Sequence, residues 1–153
     1  MKHYEGLLMA SYIAHKSNCK RRKIGAAILD SSNTYICAAN KAAIACEECH
    51  RDTCPAVHAE VGAIQNAYEF KALGSATTMY VWAEVPCHQC LSFIKLHSDI
   101  SIIYCLTPES YSVEYKLSEG RLEDIVKRRE YAKNLNISII EIDRKEVLDY
   151  ELS

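Results

Sequence analysis

The sequence predicts an α/β fold, a three-layer α/β/α sandwich built around a mixed five-stranded sheet. In the second half of the chain, runs rich in β-branched residues alternate with segments of helical periodicity, which favours parallel strands joined by crossover helices. The first half contains two short strands around a turn, which favours a hairpin. The length of 153 residues suits one domain with a substantial core. We therefore expect a single domain over residues 1–153.

The first half is predicted to contain a helix, the hairpin and a second helix. Residues 3–17 carry apolar side chains at helical spacing. The segments KIGAAILD and NTYICAAN are predicted strands that flank a DSSN turn. Helical spacing of apolar residues returns from Val57 to about Leu73, and Gly74 then ends this helix.

The second half is predicted to supply three strands and two helices. ATTMYVWAEV is rich in β-branched and aromatic residues and is the best candidate for a central strand. A helix from about Cys87 to His97 precedes the strand SIIYCL. A helix in SEGRLEDIVKRREYAKNLN then precedes the last strand, ISIIEI. The predicted order is therefore α-β-β-α-β-α-β-α-β.

Charge and hydropathy argue against several classes of protein. The formal net charge of -2 provides no general attraction to nucleic acid or to anionic membranes. No apolar run reaches the 18 residues of a membrane span, and Lys2, Glu5 and His15 argue against a signal peptide. We expect a soluble, cytoplasmic protein with no membrane partner.

The cysteines divide into core residues and candidate metal ligands. Eight cysteines are many for this chain, and in a cytosolic protein metal binding or buried packing is favoured over disulfides. Cys37 and Cys105 lie in apolar, strand-like runs and are predicted core residues. The others fall in a C-x-x-C pair, in a crowded loop and, as Cys19, before a basic run.

Two short motifs, VHAEVGAIQ and PCHQC, predict a catalytic zinc site. Cys87 and Cys90 share one helical face and follow Pro86 at a helix start, where the helix dipole favours thiolates. Together with His58 they give three zinc ligands and leave a fourth position for water, which is typical of catalytic sites. Glu60 is near enough in sequence to move a proton of that water.

Each motif alone has a simpler interpretation. A C-x-x-C pair can be a thiol redox pair, and a single His on an apolar helix is usually a core residue. A redox pair needs neither Pro86 nor an upstream H-x-E. The combination therefore favours zinc catalysis.

H-x-E followed by P-C-x-x-C is the signature of the zinc-dependent nucleobase deaminases. The chain resembles the cytidine and deoxycytidylate deaminase superfamily along nearly its whole length, and CKRRKIGAAILD is similar to the opening segment of deoxycytidylate (dCMP) deaminases. The resemblance implies that His58, Cys87 and Cys90 bind zinc. It implies that activated water attacks C4 of cytosine while Glu60 protonates N3 and then the departing ammonia. The implied reaction is hydrolysis of dCMP to dUMP, which supplies the thymidylate pathway.

The resemblance also implies substrate contacts and an assembly. Asn40 matches the family's sugar-contacting Asn, and Ala59 would donate its backbone N–H to the base carbonyl. A homo-oligomer is implied as well. The sequence departs from the family pattern at three places. Lys41 replaces the usual Gly, and VWAEVPC is one residue longer than the common loop. The stretch from Asn40 to His58 is shorter than in the dCMP deaminases that bind regulatory nucleotides there, so feedback by nucleoside triphosphates is not expected.

A basic run raises the question of the substrate's phosphate. It places five cations within eight residues: Lys16, Lys20, Arg21, Arg22 and Lys23. Because the run follows the end of the first helix, it could simply stabilise that end. The alternative is a grip for a 5′-phosphate, with Arg22 and Lys20 as first candidates. Gly25 would either give a ligand room or be an ordinary strand glycine.

The loop CEECHRDTC is a candidate for a second, structural zinc site. Its ligands would come from Cys46, Cys49, His50 and Cys54. Loop thiols without a metal are the alternative. The predicted cofactor is one catalytic zinc ion. A second, structural zinc ion is added if the loop thiols bind a metal.

Two other functions fit the zinc motif. A tRNA adenosine deaminase would need a broad basic face, and the net charge and the acidic CEEC and SEGRLED segments argue against it. A catalytically inert, zinc-stabilised binding scaffold would have no use for Glu60 beside the metal. The favoured partner is a small nucleotide rather than a nucleic acid.

Overall fold

The computed structural model describes residues 2–19, 22–41, 57–70, 74, 76–108 and 119–152. Its helices and strands occur in the predicted order, with one further helix after the last strand. The elements are α1 (Lys2–Ala14), β1 (Gly25–Leu29), β2 (Tyr35–Ala39), α2 (Ala59–Glu69), β3 (Thr78–Val81), α3 (His88–His97), β4 (Ile102–Leu106), α4 (Glu119–Asn134), β5 (Ser138–Ile142) and α5 (Arg144–Leu152).

The five strands form one mixed sheet in the order β2-β1-β3-β4-β5. β1 pairs antiparallel with both β2 and β3, which confirms the predicted hairpin. β3, β4 and β5 run parallel, as the alternation of strands and helices predicts. Parallel neighbours bring their carboxyl ends to one edge of the sheet, so the loop after β3 emerges there.

The sheet separates two apolar clusters, which confirms the three-layer prediction. Along β3, successive side chains point to opposite faces. Met79 and Val81 pack in the cluster that contains side chains of α2, α3 and α4. Tyr80 packs in the other cluster, with side chains of α1 and α5.

The predicted third strand was too long at its carboxyl end. β3 ends at Val81, and residues 82–85 bend away from the strand. Trp82 donates its backbone N–H to the carbonyl of Gly25 (2.8 Å), and the carbonyl of Ala83 accepts from Leu106 N–H (2.8 Å). These bonds hold the segment as a buried loop that leads directly into α3.

Helix α1 lies directly on the backbone of β1. A Cβ at residue 25 would overlap the carbonyl oxygen of Ala10 and would lie 2.8 Å from the backbone nitrogen of Ala14. Glycine is therefore required at position 25 by helix packing. None of the helices in the described part of the chain has the length and apolar character needed to cross a membrane.

Candidate metal centre

The amino-terminal ends of α2 and α3 carry the predicted zinc ligands. His58 caps α2 and Cys87 caps α3, and both have extended backbones with φ of -67° and -68°. Neither side chain makes a capping hydrogen bond to its own helix. Both side chains are thus available for contacts between the two helices.

The three ligand atoms meet at distances that suit zinc. Nδ1 of His58 lies 3.2 Å from Sγ of Cys90 and 3.7 Å from Sγ of Cys87. All three atoms lie within 4.8 Å of one another. In a tetrahedral zinc site with ordinary Zn–N and Zn–S bonds, such atoms are about 3.5 Å apart. One nitrogen and two sulfurs at this spacing fit a zinc ion.

Hydrogen bonds within the cluster shift the pKa values of its two thiols in opposite directions. A hydrogen bond from the Cys90 thiol, helped by His58, lowers the pKa of Cys87 to about 3 although burial opposes this. The same interaction with Cys87 raises the pKa of Cys90. Cys87 is therefore the more acidic thiol of the pair, and binding of a metal ion by both sulfurs requires both to lose their protons.

Glu60 lies in the first turn of α2, beside these ligands. Its side chain is buried, and burial raises the pKa of its carboxyl group, while hydrogen bonding to its own backbone and the nearby His58 oppose the shift. A hydrogen bond with Glu60 is also among the causes that raise the pKa of Cys90. A buried carboxyl group in this position can take up and release a proton next to the metal ligands.

Asn40 is buried at the end of β2 and is engaged with the segment that precedes β1. Its Oδ1 accepts the backbone N–H of Ile24 (2.9 Å), and its Nδ2 donates to the carbonyl of Arg22 (2.9 Å). The structure therefore gives Asn40 a role in fixing the backbone that carries Arg22. Its sugar contact stays a prediction, as does the base contact of the fully buried Ala59.

Two residues of the basic run make described side-chain contacts, one with the segment after α1 and one with the loop before Cys87. Nζ of Lys23 donates to the carbonyl of Ser17 (2.7 Å), three residues beyond the end of α1, so stabilisation of the helix end by the basic run stays a prediction. Arg22 instead reaches Glu84, in the loop before Cys87. Lys20 lies outside the described residues. At Gly25 the close neighbour is α1, so its role toward a ligand stays a prediction.

Glu84 is a buried carboxylate surrounded by arginines. Its side chain is 2% exposed, and Oε2 accepts from Arg22 at 2.6 Å. Oε1 is paired with Arg121, and Nη1 of Arg128 lies 4.0 Å from the same oxygen. Burial alone would raise the pKa of Glu84, but the charges of Arg22 and Arg121 outweigh it and hold that pKa below its ordinary value.

Sequence reasoning missed Glu84 and its two partners from α4. Two signals were available: one acidic residue within the otherwise apolar run VWAEV, and two arginines seven positions apart on one helix. Neither signal identifies the partner, because Arg22 is 62 positions from Glu84. The second candidate zinc site also lies outside the described residues: Cys46, Cys49, His50 and Cys54.

Comparison with known families agrees with this site. The sequence profile described as the cytidine and deoxycytidylate deaminase zinc-binding region matches residues 1–107. The chain belongs to this family of zinc-binding deaminases. No curated protein sequence matches the chain.

Several solved deaminases share the fold. The apo dCMP deaminase from the cyanophage S-TIM5 has a TM-score of 0.64 at 15% identity, over 92% of this chain and 96% of that one. The same cyanophage enzyme in complex with dCMP and dUMP has a TM-score of 0.63 at 19% identity, over 89% and 93%. A cytidine deaminase from Burkholderia pseudomallei has a TM-score of 0.52 at 14% identity, over 67% and 81%. At these identities the likeness concerns the fold.

Proposed function

We propose that the protein is a zinc-dependent deaminase that hydrolyses dCMP to dUMP and ammonia and so supplies the thymidylate pathway. The observation that supports this most strongly is the placement of buried Glu60 beside three converging ligand atoms, those of His58, Cys87 and Cys90. A structural zinc site needs a closed set of four ligands, whereas three protein ligands and a carboxylate suit hydrolysis. The cofactor is one catalytic zinc ion.

The residues of the site divide the chemistry among them. His58, Cys87 and Cys90 hold the zinc, which when bound activates water near neutral pH. Glu60 takes a proton from the water and delivers it to N3 of cytosine as the new C–O bond forms at C4. Glu60 then carries the second proton to the amino group, the C4–N bond breaks, and ammonia leaves. The backbone N–H of Ala59 binds the base carbonyl and keeps C4 in place.

The substrate is proposed to be a free mononucleotide. The net charge of -2 provides no extended attraction to a polynucleotide, which disfavours a tRNA substrate. Asn40, which is hydrogen-bonded to the backbone of Ile24 and Arg22, is proposed to contact the sugar, as the family resemblance implies. We also infer a single catalytic domain from the length of the sequence, a cytoplasmic location from its charge and hydropathy, and a homo-oligomer from the family resemblance.

The test is loss of cytosine absorbance with purified, zinc-loaded protein. The substrates are dCMP, deoxycytidine, dCTP and an adenosine-containing tRNA hairpin, the last followed by release of ammonia. Turnover of dCMP above the others is the expected result. Turnover of the hairpin alone would assign the protein to RNA editing. No reaction with any of the four substrates, with zinc bound, would favour a catalytically inert scaffold.

A further inference from the structure

We propose that Glu84 is a positioning residue for the metal centre: it fixes the loop that carries Cys87 and thereby places the Cys87 sulfur for the metal ion. Its partners in this role are Arg22 and Arg121. The inference rests on the zinc site of the proposed function. It gives a part in metal binding to residues that belong to neither the H-x-E motif nor the P-C-x-x-C motif.

Two kinds of contact hold the loop between β3 and α3. Its first half is hydrogen-bonded to the sheet, at Trp82 and Ala83. Its second half is bonded to arginine side chains, at the carboxylate of Glu84 and the carbonyl of Val85. Cys87 follows Glu84 by three residues and caps α3. Of these contacts, those with the arginines are nearest in sequence to the metal ligand.

Glu84 joins the loop to two separate parts of the chain. Its Oε2 lies 2.6 Å from Nη2 of Arg22, in the segment before β1, and its Oε1 pairs with Arg121, in the first turn of α4. The side chain of Glu84 is 2% exposed, so little water screens these pairs. Because each oxygen has a partner on a different element, the carboxylate cannot shift without weakening at least one of the two contacts.

Helix α4 also contacts the next residue of the loop. Nη1 of Arg128 donates to the carbonyl of Val85 (3.0 Å), and Nε of Arg128 pairs with Asp124 one turn earlier (2.8 Å). Arg121 and Arg128 are seven positions apart, which is about two helical turns, so both extend from one face of α4. One helix face therefore holds two successive residues of the loop.

Arg22 connects the loop to the helix that carries the third ligand. Its carbonyl accepts a hydrogen bond from Nδ2 of Asn40 (2.9 Å). The following residue, Lys41, pairs with Val57 through two backbone hydrogen bonds of 3.0 and 2.8 Å. Val57 directly precedes His58, the cap of α2. A continuous series of bonds thus links the beginnings of α2 and α3, which supply the metal ligands.

The distance between these two helix caps matters for metal binding. Nδ1 of His58 lies 3.7 Å from Sγ of Cys87, close to the separation of about 3.5 Å in a tetrahedral zinc site. Groups that orient metal ligands from behind typically change metal affinity by about 10- to 100-fold when they are removed. Buried ion pairs often add little net stability, because taking the charges out of water is costly. The main effect of Glu84 is therefore on ligand placement.

The test measures zinc affinity by competition with a chromophoric chelator. Glu84→Gln keeps the size of the side chain but removes its charge, and the affinity should fall by about 10- to 100-fold. Glu141→Gln is the matched control, because Glu141 also pairs with an arginine of α4, Arg129 (2.8 Å), but lies on β5. The zinc affinity of Glu141→Gln should equal that of the unchanged protein.

Arg121 provides a second pair of variants, in which Glu84 keeps its contact with Arg22. Arg121→Gln should lower the zinc affinity, and Arg121→Lys, which keeps the charge, should recover part of it. Cobalt(II) bound in place of zinc reports the geometry, because its absorption depends on tetrahedral coordination and on thiolate ligands. At saturating cobalt, Glu84→Gln and Arg121→Gln should show weaker thiolate and tetrahedral bands than Glu141→Gln.

Three results would overturn the inference. The first is an unchanged zinc affinity and cobalt spectrum in Glu84→Gln. The second is an equal loss of affinity in Glu84→Gln and Glu141→Gln, which would show a general loss of stability. If Glu84→Gln does not fold, the third decides: an unchanged affinity and spectrum in Arg121→Gln.

The measurements of metal binding need no turnover, so they separate this inference from the proposed function. Turnover of dCMP by a protein whose zinc affinity does not depend on Glu84 would overturn the positioning role and leave the deaminase proposal standing. Zinc affinity that depends on Glu84, in a protein that does not turn over dCMP, would support the positioning role and contradict the proposed function.

Discussion

Nδ1 of His58 lies 3.2 Å from Sγ of Cys90, although the two residues are 32 positions apart and stand at the beginnings of different helices. The contact exists because α2 and α3 pack on one face of the sheet and start at the same edge. Their cap residues, His58 and Cys87, supply a nitrogen and a sulfur that make no capping hydrogen bond, and Cys90 in the first turn of α3 supplies the second sulfur. The fold itself thus brings the three candidate metal ligands together.

The first prediction concerns the metal. Cys90→Ala should reduce zinc affinity by at least about 100-fold, because two ligands no longer hold the ion tightly. Competition with a chromophoric chelator measures the affinity. Cys37→Ala, in β2 and away from the ligand cluster, is the control and should retain zinc. Equal affinity in Cys90→Ala and the unchanged protein would contradict the proposed ligand set.

Zinc stoichiometry tests the loop thiols separately. One zinc per chain is expected from the described cluster. A value of two that falls to one in Cys49→Ser would support the second site. A value of one in both proteins would leave the loop thiols without a metal.

The second prediction concerns the buried carboxyl group. Glu60→Gln should lower kcat for dCMP by about 100- to 10,000-fold, since the amide side chain cannot carry a proton. Zinc content should be retained, because Glu60 is not among the three ligands. Glu130→Gln, exposed on α4, is the matched control and should keep full turnover. Full turnover in Glu60→Gln would refute its role in proton transfer.

The third prediction concerns the contact between α1 and β1. Gly25→Ala should destabilise the fold by about 1–3 kcal/mol, because its methyl group would overlap the backbone of Ala10. Gly120→Ala, on α4 with open space around it, should be neutral or stabilising by up to about 1 kcal/mol. Urea denaturation measures both. Similar stabilities for the two variants would contradict this packing.

The fourth prediction concerns alkaline pH. Burial, with the neighbouring Tyr35 and Tyr104, raises the pKa of Tyr80 from 10.0 to about 12. Because this pKa is higher in the folded state, its contribution to stability is complete below pH 10 and is lost as pH rises towards about 12. Urea denaturation at several pH values should show a steeper alkaline loss in the unchanged protein than in Tyr80→Phe. An equal loss of stability with rising pH in both proteins would contradict the raised pKa of Tyr80.

Local patterns in the sequence predicted most of the fold. β-Branched runs alternating with helical spacing correctly indicated the sheet, the hairpin and the parallel strands. The last helix, α5, was missed because Val147 is the single buried residue along it. One buried position does not produce the stripe of apolar residues that predicts a helix. It is held in addition by long-range contacts: Tyr4 donates to Glu146 (3.2 Å) and Tyr12 to Glu151 (3.1 Å). Contacts between residues about 140 positions apart leave no local signal.

The candidate site was predictable to a similar extent. The residue types and spacing of His58, Cys87 and Cys90 are typical of zinc ligands, and the structure brings these residues together. The environment of Glu84 was not predictable, because it depends on how α4 and the segment before β1 meet the loop after β3. Residue spacing within a motif shows which atoms can share a metal, whereas tertiary packing decides which charges surround it.

The most direct test of the central claim is release of ammonia from dCMP by the zinc-loaded protein, measured together with formation of dUMP. We predict that both products appear in equal amounts, that chelation of zinc stops their formation, and that added zinc restores it. Absence of both products, with zinc bound at full stoichiometry and dCMP in excess, would contradict the proposal that this protein is a dCMP deaminase.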